Sequence, residues 1–329
     1  MAEFALETSQ PRRFIPLRLM DCMLGQRRRT TRCPLTPSLH GRLAVVTGGG
    51  TGIGYQTARG LAQRGADVVI ASRNLDKCQH AAEELARETN AHVSAIGLDL
   101  ANLYRVHEAA DSIQALLENR PIDILVNNAG VWPQRYGTSV QGHEISFAVN
   151  VLGHHYLTRE LLDGPLRPDA RIVALTGDIY ALSNQCTPDY RYRGRIGGQF
   201  AYCRSKLGNL WWAQELQRRR PELSVYAVHP GVVASDLGGT DRATKLMKQT
   251  FPTISPELGA QTSLICATQP RLQPGGYYHN TLGGVELRAR DPGADRAKAS
   301  QLWDTLDTLC EVGLESDHGD AKGLIAGGA

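Results

Sequence analysis

Tyr202 and Lys206 are the two residues of this sequence whose types and spacing best suit acid–base chemistry. Residues four positions apart share one face of a helix, so the Lys206 ammonium can lie near the Tyr202 phenol. A phenol normally titrates near pH 10, and nearby positive charge is what lowers its pKa toward neutrality. The pair therefore predicts a phenol that gives or takes a proton during a reaction. Because this spacing also arises by chance, the prediction depends on the rest of the chain.

A glycine-rich turn after the first apolar run predicts a site for phosphate groups. Residues 43–46 suit a strand buried on both faces, and Gly48, Gly52 and Gly54 follow before a helical pattern begins. The loop amides and the positive end of a helix attract an anion, and the missing Cβ atoms let a pyrophosphate approach the backbone. With 34 glycines in 329 residues, the alternative is an ordinary tight turn.

Short apolar runs alternate with amphipathic stretches from residue 43 onward, which is typical of an α/β fold. We expect a single Rossmann-type doubly wound parallel sheet with helices on both faces, in one domain over residues 41–310. The first helix is predicted to begin near Ile53 and to end at Gly65. The strands are predicted at residues 43–46, 67–71, 93–98, 122–126, 171–176 and 224–229.

The composition excludes several functional classes. The net charge is only +3, with charges interspersed beyond the N-terminal segment, so no nucleic acid is expected as a partner. Seven cysteines form no Cys-x-x-Cys pair, which fits neither a disulfide framework nor a zinc site. This pattern favours a reducing compartment, and we expect a cytoplasmic location. No apolar run reaches the roughly 18 residues that a membrane span requires.

The two ends of the chain differ from the middle. Residues 1–40 form a basic N-terminal extension in which arginines are mixed with apolar side chains such as Phe14 and Leu17. This arm suits weak contact with a membrane surface or a transit segment, and the alternative is an extension that lies across the domain. Residues 311–329 are expected to form a flexible C-terminal tail.

Ser72 and Arg73 end the second predicted strand, where a doubly wound fold meets the adenosine ribose of a dinucleotide. An acidic residue there would bind the 2′-hydroxyl of NAD, and neither position is acidic. The guanidinium of Arg73 instead matches a 2′-phosphate. We therefore expect NADP(H) to be the preferred cofactor, with NAD(H) also accommodated. The alternative is a surface arginine that caps the next helix.

Further motifs resemble those of the short-chain dehydrogenases/reductases. The turn Asn127-Asn128-Ala129-Gly130 follows the fourth strand, and Tyr202 and Lys206 follow the fifth, as in that family. Segments 201–209, 228–231 and 255–262 look like the branch of retinol dehydrogenases and WW-domain oxidoreductases. The resemblance extends from residue 41 to about residue 306 and implies the fold predicted above.

The resemblance also implies which residues hold the cofactor. In the family, the glycine loop, the ends of the second to fourth strands and the segment after the sixth strand line this site. The corresponding residues here are Gly48, Thr51, Gly52, Ile53, Gly54, Ser72, Arg73, Asp99, Leu100, Asn128, Ala129, Gly130, Lys206, Pro230, Gly231, Val233 and Ser235. Asp99 is expected to bind the adenine, and residues 230–235 are expected to wrap the nicotinamide end.

The implied catalytic residues are Tyr202, Lys206, Asn150 and Thr176. Tyr202 would be the general acid in reduction and the general base in oxidation. Lys206, with an oxidised nicotinamide ring, would lower the pKa of the phenol and would orient the nicotinamide ribose. Asn150 would hold a water in the proton relay.

The family's catalytic serine has no direct counterpart, because its usual spacing before the tyrosine falls on Gly177. A threonine hydroxyl can donate to a carbonyl as serine does, so Thr176 is the predicted replacement. Asp178 is the other candidate, although a carboxyl group donates only when it is protonated. Ser183 is too far along the chain without a rearranged loop.

Two further predictions concern the surroundings of Tyr202. Residues 178–200 are expected to form a long irregular loop with flexible Gly197 and Gly198, serving as a lid or substrate wall.

His154 and His155 are adjacent on a predicted helix and point about 100° apart, so they cannot easily share an ion. No metal is expected.

These features lead to two hypotheses. The first is an oxidoreductase that moves a hydride between NADP(H) and a carbonyl or alcohol carbon of a lipophilic small molecule, such as a ketone, an aldehyde, or a steroid- or retinoid-like compound. The second is a cofactor-binding regulatory module of the same fold, with catalysis weakened by the missing serine. A homo-oligomer is expected in either case.

Overall fold

The computed structural model describes residues 15–234, 237 and 252–323, with the side chains of a few terminal residues left aside. Within this part of the chain, a sheet of eight strands has the order β3-β2-β1-β4-β5-β6-β7-β8. Its strands are β1 Leu43–Thr47, β2 Asp67–Ser72, β3 Val93–Gly97, β4 Ile122–Asn127, β5 Leu166–Leu175, β6 Ser224–His229, β7 Tyr277–His279 and β8 Gly283–Val285. The predicted Rossmann-type doubly wound sheet is confirmed.

Helices cover both faces of this sheet. They are α1 Ile15–Arg29, α2 Gly52–Ala62, α3 Leu75–Thr89, α4 Leu103–Leu117, α5 Ile145–Phe147, α6 Gly153–Leu162, α7 Gly194–Arg219, α8 Pro256–Thr268 and α9 Arg296–Gly323. Alternate residues of β1 enter two separate cores: Leu43 and Val45 pack toward α4, α6, α7 and α9, whereas Ala44 and Val46 pack toward α2, α3 and α8. This alternation is why the strand is apolar at every position.

The strand order reverses between β1 and β4, which pair in parallel although β2 and β3 come between them in sequence. In open α/β sheets, ligands bind outside the carboxyl ends of the strands at such a reversal. The glycine loop connects β1 to α2 at this point. Helix α2 buries Thr57, Ala58 and Leu61, and Gly65 follows it with a φ of +90°.

The structure differs from the predictions at two places in the sheet and the loops. Strand β7 extends the parallel sheet, and β8 pairs with it antiparallel, so the sheet is mixed at one edge. Helix α7 begins at Gly194, which makes the expected loop much shorter. A Cβ on Gly198 would lie 2.1 Å from the Pro133 carbonyl oxygen, and one on Gly197 would lie 2.3 Å from the Tyr192 Cβ. These glycines therefore allow close packing and are not flexible.

Both chain ends contain helix. The extension includes α1 and then runs across α8, with the Cys33 amide donating to Gln261 Oε1 over 2.8 Å. Helix α9 continues to Gly323, past residue 310, where the flexible tail was expected to begin. Among the described residues, none of the helices is both long enough and apolar enough to cross a membrane.

Candidate functional site

The glycine loop at the carboxyl end of β1 forms a cradle whose shape depends on the missing side chains. Gly48 and Gly52 have φ values of +66° and +59°, and a Cβ on Gly52 would meet open space. A Cβ on Gly54 would lie 2.2 Å from the Gly48 carbonyl oxygen and 2.4 Å from Asn128 Nδ2. The loop is therefore folded back tightly on the turn after β4. Helix α2 begins at the open side of the loop, so the cradle fits the predicted pyrophosphate.

Thr47, the last residue of β1, ties this loop to the Asn-Asn-Ala-Gly turn. Its Oγ1 accepts hydrogen bonds from the amides of Asn128 and Ala129, at 2.9 and 3.0 Å. The Asn128 side chain donates to the Thr47 carbonyl oxygen across 2.8 Å. Both predicted cofactor-binding segments are thus held together by one buried threonine, which the sequence analysis did not identify.

His154 extends this network to Asn150. Because a carbonyl oxygen only accepts, His154 donates through Nδ1 to the Asn150 carbonyl oxygen at 3.1 Å and accepts from the Thr47 hydroxyl at Nε2, 2.8 Å away. Burial lowers the pKa of His154 to about 4, so the ring is neutral. The neighbouring His155 faces away and contacts Asp307 and Trp212.

Asn150 lies in a single turn of π-helix, Ala148–Leu152, between α5 and α6. Such turns are rare and are often found at functional sites. The buried side-chain amide accepts from the Val131 amide at 2.7 Å and donates to Ser205 Oγ at 2.8 Å. Asn150 therefore connects the turn after β4 with α7, the helix that carries the predicted acid–base pair. Its backbone carbonyl accepts a hydrogen bond from His154 Nδ1.

Tyr202 and Lys206 share one face of α7, as predicted. Lys206 Nζ lies 5.5 Å from the centroid of the Tyr202 ring and donates to the Leu175 carbonyl oxygen at 2.9 Å. Trp132 stacks on the Tyr202 ring, with ring centroids 5.1 Å apart and an interplanar angle of 13°. The phenol therefore has both an indole and an ammonium group as close neighbours.

The protonation of this pair differs from the expectation. Burial lowers the pKa of the Lys206 ammonium to about 8 and raises the pKa of the Tyr202 phenol above its ordinary value. The expected lowering of the phenol pKa by Lys206 is therefore not found in the chain alone, because burial desolvates the phenol and the neighbouring Cys203 raises its pKa further. The phenol is kept protonated, which is the form that a general acid requires.

Thr176, the predicted replacement for the serine, is fully buried just after β5. Its hydroxyl donates to the Lys206 backbone carbonyl at 2.6 Å. Donation to a substrate would require this bond to break, so the geometry favours a positioning role for Thr176 over the predicted carbonyl contact. Gly177 is extended, with a φ of −177°.

Asp178, the other candidate, belongs to a buried cluster with His229, Tyr277 and His279. One carboxylate oxygen accepts from the Tyr277 hydroxyl at 2.5 Å, and the other accepts from His279 Nε2 at 3.0 Å. Both carboxylate oxygens are therefore already engaged by hydrogen-bond donors of the chain, which disfavours a contact with the substrate. Instead, the carboxylate joins the loop after β5 to the end of β7.

The same cluster brings three metal-ligand types within 4.8 Å of one another. However, Nδ1 of His229 accepts from the Asp178 amide, and Nδ1 of His279 accepts from the Thr281 amide. Each ring, when neutral, therefore carries its proton on Nε2. The Asp178 carboxylate is therefore surrounded by hydrogen-bond donors. This arrangement does not fit a metal cation, which would need lone pairs on the nitrogens that here carry protons.

The adenosine end of the predicted site lies at the ends of β2 and β3. Arg73 is exposed, and in the described part of the chain no hydrogen bond or ion pair holds its guanidinium. Asn74, not Arg73, caps α3, by accepting from the Lys77 amide. Asp99 Oδ1 accepts from the Ala101 amide at 3.0 Å, and Leu100 is buried.

The predicted nicotinamide end of the site lies at the segment after β6. Pro230 is buried, and Gly231 has a φ of +93°. Val233 lies close to α8: a Cβ on Gly259 would lie 2.6 Å from a Val233 methyl group and 3.4 Å from Ile53 Cγ1. The predicted contact residue Ser235 lies outside the described residues.

Aromatic residues of the segment after β4 pack against α7 and against the loop that precedes it. Trp132 stacks on Tyr202 of α7, and Tyr136 packs edge-on against Tyr192, which stacks on Tyr190. The Arg204 guanidinium lies 4.4 Å from the centroid of the Tyr190 ring. The loop that was predicted to be a lid or substrate wall thus contributes Tyr190 and Tyr192 to these ring contacts.

Comparisons with known proteins agree with this geometry. A family model described as short chain dehydrogenase matches residues 42–246. Retinol dehydrogenase 13 of Homo sapiens is 37% identical over 303 residues, covering 86% of this chain and 88% of that protein. Retinol dehydrogenase 12 of Homo sapiens is 37% identical over 292 residues, covering 85% and 89%.

Solved structures are also similar. A putative uncharacterized protein from Mycobacterium paratuberculosis has a TM-score of 0.67 and 29% identity, covering 85% of this chain and 98% of that one. A Pseudomonas aeruginosa RhlG/NADP active-site complex has a TM-score of 0.57 and 25% identity, covering 75% and 97%.

Proposed function

Because this chain belongs to the short-chain dehydrogenase family, whose members act on alcohol and carbonyl groups, we propose that it moves a hydride between NADP(H) and a lipophilic carbonyl or alcohol substrate. The observation that carries this proposal is the position of the Tyr202 phenol. Its ring stacks on Trp132, and the ring centroid lies 5.5 Å from Lys206 Nζ. Burial keeps the phenol protonated, and a Cβ on Gly130, in the turn packed on the glycine loop, would lie 3.8 Å from Lys206 Nζ.

The nicotinamide cofactor supplies the hydride in reduction and accepts it in oxidation. In reduction, Tyr202 gives its proton to the carbonyl oxygen as negative charge develops there. Lys206 then stabilises the phenolate, and its ammonium is held in place by the Leu175 carbonyl. In oxidation, the phenolate form of Tyr202 takes the alcohol proton, and the positive charges of Lys206 and of an oxidised nicotinamide ring would favour that form. Asn150 keeps α7 and the turn after β4 in register through Ser205 and Val131.

A preference for NADP(H) rests on Arg73. The guanidinium is exposed at the end of β2 and, among the described residues, has no acidic partner. A 2′-phosphate would give it a charge-assisted, two-pronged hydrogen bond, whereas the 2′-hydroxyl of NAD(H) offers no charge. We propose that NAD(H) binds more weakly but in the same place.

A lipophilic substrate is supported by the apolar rings of Trp132, Tyr136, Tyr190 and Tyr192 in the segment after β4 and the loop before α7. Two of the relatives are named retinol dehydrogenases, and a retinoid-like aldehyde or ketone is therefore one candidate substrate. A steroid-like ketone fits the same chemistry.

Three further proposals concern the setting of the enzyme. Met20 and Leu24 of α1 are 55% and 69% exposed, and the exposed Arg28 follows, so α1 has the character of a weak membrane-surface contact. We also propose a homo-oligomer and a cytoplasmic location. Vesicle flotation, light scattering and cell fractionation would test these proposals in turn.

One observation favours the regulatory module as a second candidate. The Thr176 hydroxyl is bonded to Lys206, and the Asp178 oxygens accept from Tyr277 and His279. Tyr202 would then have to polarise a carbonyl without the usual second donor. Such a protein would bind NADPH tightly and reduce carbonyls slowly.

The experiment that tests the proposal is NADPH oxidation with a panel of lipophilic aldehydes and ketones, using the full chain and its Tyr202→Phe variant. We expect turnover by the wild type and the loss of nearly all turnover in Tyr202→Phe, with NADPH affinity retained because the ring remains. NADPH binding without turnover of any substrate would support the regulatory module. Equal activity of the two proteins would place the proton donor elsewhere.

A further inference from the structure

The N-terminal extension contains one buried polar side chain that the catalytic scheme does not use. Gln26 is 1% exposed, although its neighbours Arg27 and Arg28 at the end of α1 are exposed. A buried amide needs hydrogen-bond partners, and the Gln26 side-chain amide finds them in Val232 and Pro252, which are 206 and 226 residues further along the chain.

The side-chain amide of Gln26 bonds to both the amide and the carbonyl of Val232, as the backbone of a neighbouring strand would. Its Oε1 accepts from the Val232 amide at 2.9 Å, and its Nε2 donates to the Val232 carbonyl oxygen at 3.3 Å. Nε2 also donates to the Pro252 carbonyl oxygen through a short hydrogen bond. One side chain therefore joins the segment after β6 to residues 252–254.

These two segments also bond to each other. The Ile254 amide donates to the Val232 carbonyl oxygen at 3.0 Å, and the Ala234 amide donates to the Ile254 carbonyl oxygen at 2.9 Å. The Val232 carbonyl oxygen accepts from both Ile254 and Gln26, whereas the Val232 amide donates to Gln26 Oε1. Removing the Gln26 side chain would therefore take away the acceptor of the Val232 amide.

The shape of Gly231 is adapted to Gln26. A Cβ on Gly231 would lie 2.8 Å from Gln26 Oε1 and 2.6 Å from Asn280 Nδ2. Asn280 in turn donates to Thr30 Oγ1 at 3.1 Å, which is a second connection to the extension. The turn at Gly231 is therefore enclosed by N-terminal residues on one side and by the end of β7 on the other.

We infer that the N-terminal extension is part of the cofactor site, with Gln26 as the residue that positions segment 230–233 against the nicotinamide half of the cofactor. The inference rests on the proposed function, because it takes this segment as the nicotinamide end. Gln26 does not touch the reacting atoms. It acts by fixing the backbone of Val232, next to the predicted contact residues Gly231 and Val233.

A substitution of Gln26 is predicted to affect binding of the nicotinamide half of the cofactor and not binding of the adenosine half. Loss of a buried hydrogen-bonding group that leaves its partner unsatisfied corresponds to roughly a tenfold change in an equilibrium constant. Gln26→Ala should therefore weaken NADPH binding by about tenfold. Adenosine 2′,5′-bisphosphate, which contains only the adenosine half with its 2′-phosphate, should bind as it does to the wild type.

The test is calorimetric titration of the full chain with NADPH, NADH and adenosine 2′,5′-bisphosphate. Gln26→Met preserves the length of the side chain without its amide and should behave like Gln26→Ala. Leu24→Ala, on the exposed face of the same helix, is the matched control and should bind all three ligands normally. A similar loss for NADPH and NADH, with the bisphosphate unchanged, is the expected result.

Other outcomes overturn the inference in distinguishable ways. Equal weakening of NADPH and adenosine 2′,5′-bisphosphate would show general damage to the fold. Unchanged NADPH binding by both Gln26 variants would show that segment 230–233 is positioned without the extension. If the wild type bound neither NADPH nor NADH, the proposed function would fail together with this inference.

Discussion

The side-chain hydroxyl of Thr176 donates to the backbone carbonyl of Lys206 across 2.6 Å. The end of β5 is thereby connected to the turn of α7 that carries the ammonium. The Leu175 carbonyl oxygen in turn accepts from Lys206 Nζ and from Asn209 Nδ2. The end of β5 and α7 are therefore joined by three hydrogen bonds, two of which involve Lys206.

This contact predicts how substitutions of Thr176 will behave. Thr176→Val removes a buried donor and should destabilise the fold by about 1–3 kcal/mol, while Thr176→Ser should preserve the bond. Thermal or urea unfolding, with turnover measured on the same samples, checks both. If Thr176 contacts the substrate carbonyl instead, Thr176→Val should keep its stability and lose turnover by about 100-fold.

Gly177 offers a way to restore the missing hydroxyl. Its φ of −177° suits any residue, and a Cβ there would lie 3.8 Å from His229 Nδ1 and 3.9 Å from Ile179 Cγ2, which are ordinary contacts. Gly177→Ser should therefore fold normally and raise carbonyl turnover by up to about 100-fold, the usual worth of one oxyanion donor. Gly177→Ala adds the carbon without the hydroxyl and serves as the control. An equal change in both variants would show that the hydroxyl does not reach the substrate.

Arg73 should decide between the two nicotinamide cofactors. Arg73→Ala removes a charge-assisted contact worth about 1.5–3 kcal/mol, so NADPH affinity should fall by roughly 10- to 100-fold while NADH affinity changes little. Arg87, an exposed arginine on the following helix α3, is the matched control. Fluorescence titration with each cofactor measures the effect. A wild-type preference for NADH, or equal losses for both cofactors, would contradict the assignment.

The lowered pKa of Lys206 predicts the pH dependence of reduction. With its pKa near 8, Lys206 is mostly protonated at pH 7 and loses its charge as the pH rises through about 8. Since the ammonium stabilises the phenolate left after Tyr202 gives its proton, the rate constant kcat for carbonyl reduction should fall between pH 7 and pH 9. Saturating NADPH at each pH separates this effect from weaker binding. A flat profile over that range would mean that Lys206 keeps its proton.

The sequence by itself determined the positions of the first six strands, the glycine-rich turn after the first of them, and the placing of Tyr202 and Lys206 on one face of a helix. Each of these depends on residues that are close along the chain. Alternation of apolar runs predicts buried strands, absent Cβ atoms predict a cradle, and a spacing of four predicts one face of a helix. The exposed position of Arg73 at the end of β2 follows from the same local pattern, because a strand end in this fold has a defined place.

The tertiary structure alone decided which polar groups are already engaged in hydrogen bonds within the chain. The Thr176 hydroxyl donates to the Lys206 carbonyl oxygen, and the Asp178 carboxylate accepts from Tyr277 and His279, about 100 residues further along the chain. Gln26 finds Val232 across 206 positions. No periodicity in the sequence encodes such pairs, because a buried polar side chain takes whichever partner the packing of distant segments brings within hydrogen-bond distance.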